Sequence, residues 1–350
     1  MSKEEYKLNT SSTALQDRLG RQLHDLRISV TDRCNFRCVY CMPKEKFGRD
    51  HRFLPRDELL HFEEIERVAR LFAGLGVRKI RLTGGEPLVR AELETLIRKL
   101  RAIDGITDLS LTSNASLMTE ARARSLRDAG LNRVNISLDA LDEATFHRIS
   151  DVNVSVDQVL QGIEHAASAG FDSVKVNMVV KKGLNDHCVL PMARHFHGSG
   201  KILRFIEFMD VGNTNGWQSG QVVAAQQIVD TISRELPLEP VGANYPGEVA
   251  KRWKYKDGGG EIGVISSVTQ PFCGSCSRIR LSAVGKLYTC LFASEGTDIR
   301  EALRSGDDDA ALLRRLRALW SQRQDRYSET RTQVQVLQPR SKIEMSYIGG

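Results

Sequence analysis

Six of the seven cysteines fall into two triplets, and these are the residues whose type and spacing most clearly point to chemistry. Cys34, Cys38 and Cys41 form Cys-x3-Cys-x2-Cys, and Cys273, Cys276 and Cys290 form Cys-x2-Cys-x13-Cys. Three thiolates this close can grip one metal centre. A structural zinc site wants four closed ligands, and a four-iron, four-sulfur cluster is commonly held by four cysteines. A triplet therefore leaves one iron without a protein ligand, and an open coordination position is what chemistry requires. Spacing alone leaves a second reading open, a zinc site completed by a distant His or Cys. Cys188 is left over and reads as a buried apolar residue on a helix.

Two arginines follow the second triplet's first pair, in Ser277-Arg278-Ile279-Arg280-Leu281. Residues two apart in an extended segment share a face. Arg278 and Arg280 would then present two guanidiniums beside a metal loop, where bidentate oxyanion recognition is their strength. An exposed charged strand edge is the competing reading. The net charge of +6, from 50 Lys and Arg against 44 Asp and Glu, is mild and scattered. With only 6% aromatic residues it does not argue for nucleic acid. It does suit a small anionic substrate on which several cations converge. No apolar run has the length of a membrane span. The polar start Met1-Ser2-Lys3-Glu4-Glu5 lacks the hydrophobic region of a secretory signal. An odd cysteine count in such a chain disfavours a disulfide framework. These features point to a cytoplasmic protein.

The elements that must position these groups alternate. Strands are expected at Leu26–Val30, Val77–Leu82, Thr107–Leu111, Arg133–Leu138, Val174–Val180 and Ile202–Phe208. Helical periodicity fills the gaps between them, including one long helix over Leu88–Ile103. Short apolar strands joined by helices predict a parallel sheet. Six units are too few for the usual eight-unit closed barrel, so an α/β fold with a partial (β/α)6 barrel is expected. The texture changes after Gly212, and a smaller C-terminal α+β domain is expected. The division reads as a flexible arm over 1–25, the barrel over 26–215, and a domain over 216–350 carrying the second triplet. Polar residues gather where strands end, at Thr83-Gly84-Gly85-Glu86-Pro87, Thr112-Ser113-Asn114 and Ser137-Leu138-Asp139. Functional groups of parallel barrels collect there, although turns and caps favour the same types.

At Cys34, Cys38, Tyr40 and Cys41, and at Gly84–Pro87, the chain resembles the radical S-adenosylmethionine superfamily. Over about Leu26 to Gly350 it is similar to the molybdenum cofactor biosynthesis protein A family, the GTP 3′,8-cyclases. The likeness rests on Leu26–Pro43 (LRISVTDRCNFRCVYCMP), Ile80–Leu88 (IRLTGGEPL), Ile206–Gly212 (IEFMDVG), the second triplet and the Gly-Gly end.

The resemblance implies two [4Fe-4S] clusters and S-adenosylmethionine as cofactors. Cys34, Cys38 and Cys41 would hold the cluster that cleaves S-adenosylmethionine. Tyr40, Gly85, Ser137 and Met209 would contact that cofactor. Cys273, Cys276 and Cys290 would hold a second cluster whose open iron meets the guanine of GTP. Arg27, Arg81, Thr112, Lys175, Arg278 and Arg280 would bind GTP, with Arg204 a weaker phosphate candidate. A 5′-deoxyadenosyl radical would take the 3′ hydrogen, and C3′ would add to C8 to give 3′,8-cyclo-7,8-dihydro-GTP. GTP, as a small-molecule substrate, and an electron donor are the implied partners. No nucleic acid or membrane is implied, and a homodimer is left open. Gly349 and Gly350 would reach into the active site.

Two rivals stand beside this reading. One is a different radical enzyme with an auxiliary cluster acting on another substrate, such as a peptide. The other is a zinc-stabilised nucleic-acid binder. The chain also departs from the family at Thr112-Ser113-Asn114-Ala115, where Thr-Thr-Asn-Gly is usual. Gly258-x-Gly260-x-x-Gly263 matches a dinucleotide fingerprint in letters, but its surroundings predict a hairpin. His195 and His197 read as solvated residues at a helix end.

Overall fold

The computed structural model describes residues 15–245, 247–331 and 341–349. Among them runs one sheet of twelve strands. Its centre is six parallel strands in chain order: β1 (Asp25–Ser29), β2 (Lys79–Thr83), β3 (Asp108–Ser113), β4 (Arg133–Ser137), β5 (Ser173–Val180) and β6 (Ile202–Glu207). Helices α1 (Phe62–Gly74), α2 (Leu93–Arg101), α3 (Glu120–Asp128), α4 (Glu143–Ser150), α5 (Val156–Ser168) and α6 (Val189–Phe196) make the crossovers. Apolar stripes such as Ile65, Val68, Ala69 and Phe72 of α1 are buried in one continuous core. The starts of α3, α4 and α5 are set by side-chain caps. Thr119, Asp142 and Ser155 accept from the backbone N–H of Arg122, Thr145 and Gln158 at 3.2, 2.8 and 3.2 Å, and such a cap contributes about 1 kcal/mol.

The expected helix over Leu88–Ile103 is two pieces. Pro87–Val89 is a 3-10 turn whose Leu88 N–H is held by the Glu86 carboxylate at 3.0 Å. Glu92, at φ 55, then breaks the chain before α2. Helical periodicity hid a turn that belongs to the Gly-Gly-Glu-Pro segment.

Strand β5 shows how the sheet aims its polar groups. Val174, Val176, Met178 and Val180 are buried under helices, while Lys175, Asn177 and Val179 alternate to the opposite face. The C-terminal part holds α7 (Ala225–Ser233), β7 (Leu238–Val241), β8 (Lys251–Tyr255), β9 (Glu261–Ile265), β10 (Arg278–Leu281), β11 (Lys286–Tyr288), β12 (Thr297–Asp298), α8 (Arg300–Arg304) and α9 (Asp309–Ser321). It does not build a separate sheet. Strand β10 pairs parallel with β1, and β9 pairs parallel with β6. The expected boundary at 215/216 falls in the loop between β6 and α7. Gly258 and Gly260 lie in the β8–β9 hairpin, where Tyr255 N–H donates to the Gly260 carbonyl at 3.0 Å.

Residues 15–24 belong to the expected flexible arm, yet they are packed. Asp17, Arg21 and Leu23 are buried. The Trp320 indole N–H donates to the Arg21 carbonyl at 3.1 Å, and the Arg21 guanidinium donates to the carbonyls of Cys273 and Asp325 at 2.9 and 2.7 Å. These partners lie far along the chain, so a polar, aperiodic segment could not reveal them. Residues 1–14 of that arm lie outside the described residues. Among the described residues no helix is long and apolar enough to cross a membrane.

Candidate active site

The inner face of the sheet surrounds a cavity of 330 Å³. Every residue assigned above to a cluster, to the cofactor or to GTP lines it, and so does Arg204. Both cysteine triplets therefore open into one chamber.

The first triplet sits in the loop after β1. A tight turn, with the Cys41 and Met42 N–H groups on the Cys38 carbonyl at 2.9 and 2.8 Å, draws the thiols together. Burial first, and then negative neighbours, push Cys34 and Cys41 up to about 12. The neighbours are Glu86 for Cys34 and, for Cys41, Cys34 first. Burial also raises Cys38, with Cys34 and Cys41 adding to it. Thiols held this way ionise when a cation replaces the proton, so the donor set fits a metal centre.

The segment after β2 is fastened to the triplet's loop. Gly85 and Glu86 N–H donate to the Thr31 and Arg33 carbonyls, both at 2.8 Å. The approach is too close for side chains. A Cβ on Gly84 would lie 2.3 Å from the Thr31 carbonyl oxygen, and one on Gly85 would lie 2.2 Å from that of Arg33. Gly85→Ala is expected to force these loops apart and destabilise the fold by about 2 kcal/mol or more. Chemical denaturation of the anaerobic protein measures this, and an unchanged midpoint would contradict it.

The Glu86 carboxylate accepts from the Asn114 and Leu88 N–H groups and from the Ser113 hydroxyl, at 2.7, 3.0 and 2.8 Å. Burial outweighs these bonds and raises it to about 7. Next in the chain, Ala115 takes φ 57. Glycine adopts that left-handed conformation without side-chain cost, and a residue with a Cβ gives up about 1–2 kcal/mol there. The loop tolerates the departure from the family pattern at that expense. Tyr40 donates from its hydroxyl to Asp139 at 2.5 Å, while Asp139 accepts from Val179 N–H at 2.8 Å. This ties the loop carrying the triplet to β5.

The second triplet is electrostatically different. Burial opposes ionisation of Cys276, but Arg278 and Arg323 hold it down to about 6. Their guanidiniums donate to its Sγ at 3.3 and 3.2 Å. Cys290 is pushed up to about 11, by burial first.

Between the triplets lies a belt of cations set by parallel register. Arg27 is flanked in register by Arg81 of β2 and Arg280 of β10. Thr112, Asn135 and Lys175 are aligned across β3, β4 and β5, and Asn177 pairs with Arg204. Burial, then neighbouring cations, push Lys175 down to about 8 and Arg204 to about 9. Arg27 is held well below its ordinary value by burial and then by Arg81, Arg280 and Arg278. Arg81 Nε and Thr112 Oγ1 are buried without a hydrogen-bond partner. Buried cations and unmet donors are costly unless an anion joins them, so the belt is shaped for a polyanion.

Sequence reasoning missed Lys79 and Arg133, which also line the chamber, and underrated Arg204. Lys79 stands two residues before Arg81 and so shares its face, which is the one signal available. Arg204 is fixed by Asn177 and Asn135 at 2.9 and 2.5 Å. His197 instead pairs with Asp257 at 2.9 Å, and Cys188 is buried as expected.

The tail returns to the chamber's edge. Glu344 accepts from Asn213 N–H and the Thr214 hydroxyl at 2.9 and 3.0 Å, and Ile348 is buried. Gly349, at φ 74, lies against Thr83, and its carbonyl accepts from Arg280 Nε at 3.4 Å. Gly350 lies outside the described residues.

Known proteins match this chain over most of its length. The Radical SAM superfamily profile matches residues 28–196, and the Molybdenum Cofactor Synthesis C profile matches 201–329. A GTP 3′,8-cyclase from Acidothermus cellulolyticus is 52% identical, covering 96% of this chain and 99% of its own. One from Staphylococcus carnosus is 50% identical with the same coverage. Among solved structures, Streptococcus suis SuiB bound to S-adenosylmethionine superposes with a TM-score of 0.58 at 14% identity. That match covers 85% of this chain and 68% of SuiB, and it supports the partial-barrel fold alone.

Proposed function

The chain belongs to the GTP 3′,8-cyclase family, and from that premise we propose how its own residues carry out the reaction. The enzyme converts GTP to 3′,8-cyclo-7,8-dihydro-GTP with two [4Fe-4S] clusters and S-adenosylmethionine, on the route to the molybdenum cofactor. With its cluster on Cys34, Cys38 and Cys41, bound S-adenosylmethionine would supply the radical chemistry that the 3′ carbon of GTP needs.

The first triplet holds the cluster that binds this cofactor. Gly84 and Gly85 leave room for it, and Tyr40, Ser137 and Met209 line its side of the chamber. The second triplet holds the cluster that meets guanine. Arg27, Arg81, Lys175, Arg204 and Arg280 neutralise the triphosphate, and Thr112 Oγ1 and Arg81 Nε find their missing partners on the nucleotide. One observation carries the reading: a single chamber joins two three-cysteine sites across a row of buried cations. The row holds the triphosphate and the second triplet's site takes the guanine, so the nucleotide is fixed at both ends, which is the positioning that an intramolecular ring closure needs. An anaerobic incubation with GTP, S-adenosylmethionine and dithionite tests it. Formation of 5′-deoxyadenosine together with the cyclised nucleotide is expected. Formation of 5′-deoxyadenosine with GTP unchanged would favour another substrate.

Lys175 gives this reading a pH signature. Its ammonium is pushed down to about 8 in the ligand-free chamber, and only the charged form attracts phosphate. Above that pH binding must take up a proton, so GTP affinity is expected to fall by up to about tenfold per unit. Lys175→Met should bind more weakly and show a shallower fall. Calorimetric titrations from neutral to alkaline pH measure both slopes, and parallel profiles would contradict the assignment.

An external one-electron donor completes the reaction, because no described residue supplies the electron. The same reading places the enzyme in the reducing cytoplasm, where cluster thiols stay available.

A further inference from the structure

Beside the second triplet lies a buried ionic network that the reaction outlined above does not use. Arg323 reaches both halves of that triplet. Its Nη1 donates to the Cys276 carbonyl at 2.7 Å, its Nη2 to Cys276 Sγ at 3.2 Å, and its Nε to the carbonyl of Thr289, next to Cys290, at 3.1 Å. The guanidinium lies over the Trp320 ring at 4.6 Å, and Nε is 3.4 Å from Asp325 Oδ2. Arg21 holds the remaining ligand, donating from Nη1 to the Cys273 carbonyl at 2.9 Å. Its Nη2 is buried without a partner, and the residue lines the same chamber. One carboxylate serves both cations. Asp17 Oδ2 is 2.6 Å from Arg21 Nε and 3.2 Å from Arg323 Nη1, and the three side chains are at most 2% exposed.

We propose that Asp17, Arg21 and Arg323 are positioning residues that hold the second triplet's loops and set the reduction potential of the cluster bound there. The inference rests on the reading that this triplet carries a cluster. Reduction adds negative charge to a cluster, and a buried cation or an N–H donor aimed at a ligand sulfur favours the reduced form. Arg323 supplies both. Asp17 opposes them, because its carboxylate offsets the two guanidiniums at close range in a poorly screened interior. The segment that delivers Asp17 and Arg21, residues 15–24, thereby becomes part of the cluster's surroundings. The first triplet is surrounded differently: Arg37 donates to the Cys34 carbonyl at 2.7 Å, while the carboxylates of Glu86 and Asp139 face its thiols.

The two signs make the proposal testable. In anaerobic holoenzyme, each cluster's midpoint potential is read by electron paramagnetic resonance during a redox titration. The second cluster is the signal that GTP perturbs, and the first is the signal that S-adenosylmethionine perturbs. Arg323→Met is expected to shift the second cluster's midpoint to a more negative value. Asp17→Asn, nearly isosteric, is expected to shift it to a more positive value. The first cluster should stay put in both. Arg323→Lys keeps the charge but loses the three-point contact, and is expected to move the midpoint less than Arg323→Met while releasing iron faster to a chelator. If Arg323→Met cannot retain the second cluster, the Asp17→Asn and Arg323→Lys titrations decide. Unmoved midpoints, or Asp17→Asn shifting in the same direction as Arg323→Met, would overturn the proposal. Wild-type protein with iron and a paramagnetic signal for one cluster only would overturn the underlying reading instead, which separates the two failures.

Discussion

Cys38→Ala is expected to abolish both products, 5′-deoxyadenosine and the cyclised nucleotide, whereas Cys276→Ala is expected to lose only the second. The asymmetry follows from where the triplets sit. Cys38 supplies the central thiol of a set of three, and alanine keeps the backbone carbonyl that closes the turn of the first loop, so only the ligand is lost. Two thiols do not hold a cluster that needs three and one open iron. The second triplet sits across the chamber, with Cys273 and Cys276 at the 3-10 turn between β9 and β10 and Cys290 in the bend after β11. Removing Cys276 leaves the first loop, the fastened glycines and the Tyr40–Asp139 tie untouched. The cofactor can still be cleaved, but guanine loses its anchor. Iron analysis before and after substitution, with chromatography of both products, reads the result. Equal loss of 5′-deoxyadenosine in the two variants would contradict the division of labour.

The second large effect is expected at Gly349→Val. A Cβ there would come within 2.0 Å of Thr83 Cγ2, in a backbone of φ 74 that side chains disfavour. The last turn must then retreat, taking with it the carbonyl that accepts from Arg280. Arg280 is one of three adjacent guanidiniums in register across β10, β1 and β2, so its displacement disturbs the whole anion-binding socket. Misplacing a substrate by about 1 Å can cost about 10²-fold, and cyclisation is expected to fall by at least that much. Both clusters should keep their iron, and cofactor cleavage without cyclisation should persist. The anchor formed by Glu344 with Asn213 and Thr214 is expected to keep the rest of the tail docked. Full cyclisation by the variant would show that the tail does not shape the chamber.

What was legible in the sequence follows physical distance along the chain. The two triplets and the Gly84–Pro87 segment are local patterns, and their spacing carries most of their meaning. The six barrel strands announce themselves by apolar runs between helical stretches, and their observed limits differ by only a few residues from the expected ones. The cation belt is partly hidden. Arg27, Arg81 and Arg280 stand side by side because three strands from distant parts of the chain share a register. Arg133 and Arg204 join the chamber for the same reason, and no local pattern marks them. The Asp17–Arg21–Arg323 network was invisible. Its first two members sit in a polar stretch that has the composition of a loose arm, and the contact from Arg21 to Cys273 spans 252 positions. The tail was legible only in its glycines. The neighbour that makes glycine necessary there, Thr83, is supplied by β2.

The most direct test of one chamber serving both triplets is isotope transfer. GTP carrying deuterium at C3′ is incubated anaerobically with the enzyme, S-adenosylmethionine and dithionite, and the recovered 5′-deoxyadenosine is weighed by mass spectrometry. Deuterium in 5′-deoxyadenosine in step with the cyclised nucleotide is the expected result, because the cation belt holds the ribose against the cofactor's side of the cavity. Unlabelled 5′-deoxyadenosine, formed while GTP is consumed, would contradict the account.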